Sequence, residues 1–144
     1  MKTIKDILKE KGSEVFTIDQ NETVYSALAK MAEKNLGALV VTDDKGAVVG
    51  LLSERDYARK VILKGVFSKD TLVGTIMEKQ VCYVRPHNTV EESMSLMTEK
   101  RTRHLPVMEN GQLLGLVSIG DLVKVTIKEK EFLIDQLTNY IKTG

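Results

Sequence analysis

Cysteine is almost absent from this chain of 144 residues: Cys82 stands alone, so no intrachain disulfide can form and four-ligand zinc spacing is missing. A reducing compartment, the cytoplasm, is the expectation. Histidine is nearly as scarce. His87 and His104 are the only two, and neither stands in a legible Ser-His-Asp or metal-ligand constellation, so neither a catalytic centre nor a metal site is expected. Neither sign of charge is in excess: 21 Lys and Arg against 20 Asp and Glu leave a formal +1. No whole-molecule field therefore draws nucleic acid or an anionic membrane. No apolar run approaches the ~18 to 20 residues that span a bilayer. The opening MKTIKDILKEKG alternates Lys with acid where a secretory signal would build an apolar core. What is present, 42% hydrophobic and 28% charged residues, is the balance of a soluble globular chain. Its length suits one domain or two small units sharing a core.

The chain repeats itself. Val15 to Lys60 lies over Val81 to Val125 at an offset of 66 that falls to 65 after a one-residue deletion near Lys45. Matched identities run in order: Thr23 with Thr89, Val24 with Val90, Met31 with Met97, Leu39 with Leu105, Val41 with Val107. The densest run then sets Gly50 over Gly115, Ser53 over Ser118 and Asp56 over Asp121.

Each copy reads as strand, helix, strand, strand, helix, an α/β unit built twice. Val15 to Ile18 and Val81 to Val84 are short and rich in β-branched and aromatic residues, which predicts strands. Val24, Ala27, Leu28 and Met31, like Val90, Met94 and Met97, recur at one-face helical spacing, and Thr89 with Glu92 forms a capping box. Ala38 to Val41 and Leu105 to Met108 are continuously apolar, as strands covered on both faces are. Turn residues at Asp43 to Gly46 and Glu109 to Gly111 return each chain as a hairpin. The expected organisation is an N-terminal helix (1–14), unit 1 (15–64), a connector (65–80), unit 2 (81–125) and a helical extension (126–144). From Ile119 onward Leu122, Val123, Ile127, Phe132, Leu133, Leu137 and Ile141 predict one long helix or two. Their apolar stripe is expected to pack on its own chain or in a dimer contact.

The chemically informative element is GLLSERD, Gly50 to Asp56, echoed by GLVSIGD, Gly115 to Asp121. Ser followed three residues later by an acid is a helix-start signature in its own right. The same geometry suits a nucleoside: a helix N-terminus offers amides and positive potential to phosphate, and a carboxylate beside it can accept from two ribose hydroxyls. Glycine at the motif's head allows another group close to the backbone.

With these motifs, and with RHLPV at Arg103 to Val107 and SERDYARKV at Ser53 to Val61, the chain resembles a tandem pair of CBS domains, the cystathionine β-synthase type regulatory module. The resemblance implies two units packed pseudo-symmetrically into one disc-like body, often paired as a homodimer. It also implies clefts between the units that bind AMP, ADP, ATP, NAD or S-adenosylmethionine. On that pattern Asp56 and Asp121 hold ribose hydroxyls, and Ser53 and Ser118 bond the sugar or first phosphate. Cys82 with Tyr83, and Phe16 with Thr17, line the adenine of the Asp56 and Asp121 sites.

The copies are unequal. Where the second has Arg101, Thr102, Arg103, His104 and Pro106, the first has Asn35, Leu36, Gly37, Ala38 and Val40; Arg55 in turn matches Gly120. Basic groups for phosphate therefore concentrate on the second copy. The expected function is a non-catalytic adenine-nucleotide sensor that signals to a separate, unidentified partner protein; a ligand-free interaction scaffold or an S-adenosylmethionine-type sensor is the alternative.

Overall fold

Thr3 and Asp6 start the first helix, α1 (Ile4–Lys11), by closing a capping box: the Thr3 amide donates to the Asp6 carboxylate at 3.0 Å while the Asp6 amide donates back to the Thr3 hydroxyl. The computed structural model describes residues 1–12 and 14–143. Ser13 and Gly144, which the expected terminal segments include, lie outside the described residues. After α1 come β1 (Thr17–Asp19), α2 (Val24–Lys34), β2 (Ala38–Thr42), β3 (Val48–Ser53) and α3 (Glu54–Tyr57), which runs into a π-helical turn (Ala58–Ile62). Then follow α4 (Val73–Ile76), α5 (Val90–Lys100), β4 (His104–Glu109), β5 (Gln112–Ser118) and α6 (Ile119–Thr143). The architecture is α/β, as the repeat requires.

Two units emerge. One is Glu14–Cys82; the other is the chain from Tyr83 onward together with the N-terminal segment. The helix written first thus belongs to the unit written last. In the first unit β1 runs parallel to β2 and β2 antiparallel to β3, over a core that includes Val24, Met31, Leu39, Val41 and Leu52. In the second, β4 and β5 pair antiparallel, with Val90, Met97, Leu105 and Val107 buried. Apolar residues that repeat in the sequence therefore take matching places in the two cores.

Segments outside the repeat complete each unit in the same way. Met77, just after α4, lies against Gly50, where a Cβ would meet its sulfur at 2.4 Å; Glu78 and Leu51 exchange backbone hydrogen bonds of 2.8 and 3.0 Å. In the second unit Leu8 of α1 lies against Gly115, where a Cβ would meet its Cδ2 at 2.7 Å. The Ile4 amide there donates to the Asn88 carbonyl at 2.9 Å. Each motif glycine therefore admits an apolar side chain of the segment that precedes the other copy.

The hairpins explain the one-residue change of offset. Asn110 (φ 51°) and Gly111 (φ 75°) make a two-residue loop with both residues left-handed, the type I′ geometry that suits strand twist. The β2–β3 loop is longer and is held by Asp43, whose Oδ1 accepts from the Lys45 and Ala47 amides at 2.9 Å each.

One expected strand is absent. Val15 to Ile18 shifts to Thr17–Asp19, but Val81 to Val84 forms only an isolated parallel bridge between Val84 and Val107. The two prolines account for it. In the first unit the Gln20 amide donates to Thr42 at 2.9 Å, and its counterpart in the repeat, Pro86, has no N–H. On the partner strand, Val40 pairs opposite Thr17, and its counterpart Pro106 cannot donate to the ladder either. Only Val84 to Pro106 (3.0 Å) and Met108 to Val84 (2.9 Å) remain.

The final helix is one element of 25 residues, about 37 Å at 1.5 Å per residue. Its first turns bury Leu122 and Val125, whereas Phe132, Leu133, Ile134 and Leu137 are exposed.

Candidate functional site

In both units a strand ends on the motif serine and a helix begins at the next residue, with the motif aspartate in its first turn, because the two side chains satisfy each other's backbone. In the first, Asp56 Oδ2 accepts from the Ser53 amide at 3.0 Å and from its hydroxyl at 3.1 Å, and the Asp56 amide donates to Ser53 Oγ at 3.2 Å. In the second, Asp121 Oδ2 accepts from the Ser118 amide at 2.8 Å, and the Asp121 amide donates to Ser118 Oγ at 3.2 Å. The helix-start reading of the motif is thus correct in both copies. A carboxylate has about four lone-pair positions, so a cap made through Oδ2 leaves acceptor capacity on Oδ1.

The helix starts are further closed by backbone. The Glu54 amide donates to the Gly37 carbonyl at 3.1 Å, and the Ile119 amide to the Arg103 carbonyl at 2.8 Å. With the aspartate amides also engaged, each helix start has fewer open amides than the sequence suggests. The Arg103 bond also fixes that residue at the start of α6. Its side chain is exposed there, at the place where the first unit has Gly37.

Each aspartate faces a lysine, from different sources. Lys60, one turn along the same helical segment, lies 3.4 Å from Asp56 Oδ1 and donates to the Ile76 carbonyl at 2.9 Å. Lys11, at the end of α1, lies 2.7 Å from Asp121 Oδ2 and donates to the Leu116 carbonyl at 2.8 Å. Neither lysine is among the sequence candidates. Lys60 was legible as an i,i+4 pair with Asp56. Lys11 carries no local signal, since it is 110 residues from its partner.

His104 completes the second cluster. It is half-buried and sits opposite Ser118 across the β4–β5 ladder, where the first unit places Ala38 opposite Ser53. Burial pushes its pKa below the ordinary 6.5 and outweighs the pull of Asp121, with Lys11 and Arg103 pushing the same way as burial. Burial works to raise the Asp121 pKa, but the Lys11 hydrogen bond and the Ser118 amide prevail and hold it below the ordinary 3.8. Thr102 supports this corner by donating its hydroxyl to the His104 carbonyl at 3.1 Å.

The remaining candidates serve their own units. Phe16 packs on the first core with the Lys34 ammonium 5.0 Å from its ring centroid, and the Thr17 carbonyl accepts from Lys30 Nζ. Arg55 is exposed on α3, Cys82 is half-buried, and Tyr83, in the second unit, is exposed. The structure therefore gathers Gly37, Ser53, Arg55 and Asp56 in one unit, and Thr102, Arg103, His104, Ser118 and Asp121 in the other. Among the described residues no three His, Cys, Asp or Glu side chains gather to hold a metal. Nor, among the described residues, is any helix long and apolar enough to cross a membrane.

A β-hairpin between two helices, repeated with a serine-aspartate helix start in each copy, defines a tandem α/β module, and comparison supplies the family. The CBS domain profile matches twice, over residues 4–63 and 73–128, and the chain belongs to that family. It is 39% identical over 150 residues to the mitochondrial CBS domain-containing protein CBSX3 of Arabidopsis thaliana, covering 99% of this chain and 73% of that one. Among solved structures it is similar to the CBS-domain protein NE2398, with 50% identity and a TM-score of 0.83 over 88% of this chain and 98% of that one. A CBS-domain protein of Burkholderia ambifaria MC40-6 is 49% identical with a TM-score of 0.84, over 88% and 94% of the two chains.

Proposed function

We propose that the chain is a non-catalytic sensor of adenosyl nucleotides, AMP, ADP, ATP or NAD, whose occupancy is read by a separate partner protein in the cytoplasm. The observation that carries this reading is the twin helix start: Asp56 and Asp121 are each half-buried, each held by its serine, and each retains an oxygen able to accept from ribose hydroxyls. Ser53 and Ser118 would bond the sugar or the first phosphate. Arg103 and His104 give the second unit side chains for phosphate that Gly37 and Ala38 deny the first. A ligand panel tests the reading by thermal unfolding. A ligand at 100 times its Kd stabilises by about 2.7 kcal/mol, so AMP, ADP, ATP or NAD should raise Tm where guanosine and inorganic phosphate do not. A flat response across the panel would leave the interaction scaffold standing.

The same reading pairs the chain as a homodimer through α6. Val123, Ile127, Ile134, Leu137 and Ile141 are exposed at successive spacings of 4, 7, 3 and 4, the a/d pattern of a coiled-coil seam, broken only by Lys130. Light scattering at tens of micromolar should give twice 16.1 kDa, falling to 16.1 kDa in the double variant Ile134→Glu, Leu137→Glu. A wild-type mass of 16.1 kDa would remove the dimer.

A further inference from the structure

Lys11 does not belong to the repeat, yet its ammonium sits on the aspartate that the repeat provides. It donates to Asp121 Oδ2 at 2.7 Å and to the Leu116 carbonyl at 2.8 Å, and so binds the end of α1 to the strand end and helix start of the second copy. The pair is not locked away: the Lys11 side chain is 38% exposed and that of Asp121 25%. Its position is set from behind by the buried Leu8 on Gly115, and Gly12 ends the helix immediately after it at φ 92°. Arg103 and His104 lie on the same corner, so three cationic or ionisable groups surround one carboxylate.

An ammonium on the carboxylate has two consequences for a nucleotide. Ribose hydroxyls that donate to Asp121 Oδ1 draw on the carboxylate charge that holds it on Oδ2, and a phosphate arriving beside Ser118 offers it a second anion. We propose that Lys11, alongside Arg103, makes the second unit selective for phosphorylated adenosyl ligands: held by Asp121 until ribose takes up the carboxylate, it then transfers to the ligand's phosphate. This deepens the proposed function and rests on it. It also gives occupancy a mechanical outlet, because the transferred group is the last residue of α1. The first unit lacks this outlet, since Lys60 lies on the same helical segment as Asp56.

The experiment measures AMP and adenosine binding by calorimetry in an Asp56→Ala background, where only the second unit reports. Lys11→Ala should weaken AMP about tenfold or more, the ordinary worth of a charge-assisted contact, while adenosine binds as before or more tightly. Lys11→Arg should restore AMP. Lys9→Ala, which removes an exposed charge from the same helix, should change AMP less than about twofold. Equal weakening of AMP and adenosine by Lys11→Ala, or no change in either, overturns the role of Lys11 and leaves the sensor standing. Absence of AMP binding in the Asp56→Ala background while wild type binds overturns the second-unit site and with it the role of Lys11; absence in wild type as well overturns the sensor.

Discussion

The two units begin from the same plan and differ where the second copy received prolines and cations. In the first, an amide at each step, Gln20 and Val40, sustains a third strand, and the site corner is made of Gly37, Ala38 and Arg55. In the second, Pro86 and Pro106 reduce that strand to one bridge, and the corner carries Arg103, His104 and the Lys11 of a distant helix. A duplicated fold thus keeps its core positions and its helix caps while its charges and strand edges diverge. The cores and caps serve folding in both copies; the charges are what set the two corners apart.

The largest effect that sharpens this comparison concerns α1. Ile4 is fully buried in the second unit, so Ile4→Ala should lower stability by about 2 to 5 kcal/mol. Hydrogen exchange would then show the loss concentrated in β4 and β5, with β2 and β3 less affected. Uniform loss would mean that the units open together. Next come the motif glycines. A methyl at Gly50 meets the Met77 sulfur at 2.4 Å and the Glu78 carbonyl at 3.0 Å, while at Gly115 it meets only the end of Leu8, which can turn away. Gly50→Ala should therefore cost about 1 to 3 kcal/mol and Gly115→Ala less, as read by urea unfolding.

Much of this was legible beforehand. Val24 with Val90 and Met31 with Met97 named the core because burial constrains both copies alike. Ser53 with Asp56 and Ser118 with Asp121 named the helix starts because a cap is a local device. The missing strand was legible too, but only by asking which residue on the facing strand lacks an amide; the apolar run Val81 to Val84 gives the opposite answer by itself. What lay beyond reach was long-range: that Leu8 and Met77 occupy the space above Gly115 and Gly50, and that Lys11 answers Asp121. No periodicity or spacing encodes such pairs.

Smaller effects test the charges. Arg103→Ala should weaken AMP about tenfold and leave adenosine nearly unchanged, whereas Gly37→Arg should favour AMP in the first unit. Equal loss for both ligands from Arg103→Ala would place Arg103 in the fold or on the base. The smallest effect is acid-dependent. The Asp121 pKa is lowered by folding, so its contribution is in full force above its unfolded value near 3.8 and is lost as pH falls through the lower folded value. The Tm gap between wild type and Asp121→Asn should narrow below about pH 4. Partial exposure of the Lys11 pair keeps the whole gap under about 1 kcal/mol.

The central claim, that each serine-aspartate helix start is a ribose acceptor as well as a cap, is tested most directly by calorimetric titration of AMP into wild type, Asp56→Ala and Asp121→Ala, with circular dichroism confirming that each variant is folded. The account predicts that each substitution removes one binding event and leaves the other, with the phosphate-selective event lost in Asp121→Ala. Unchanged stoichiometry and affinity in both folded variants would contradict it and reduce the motif to a helix cap.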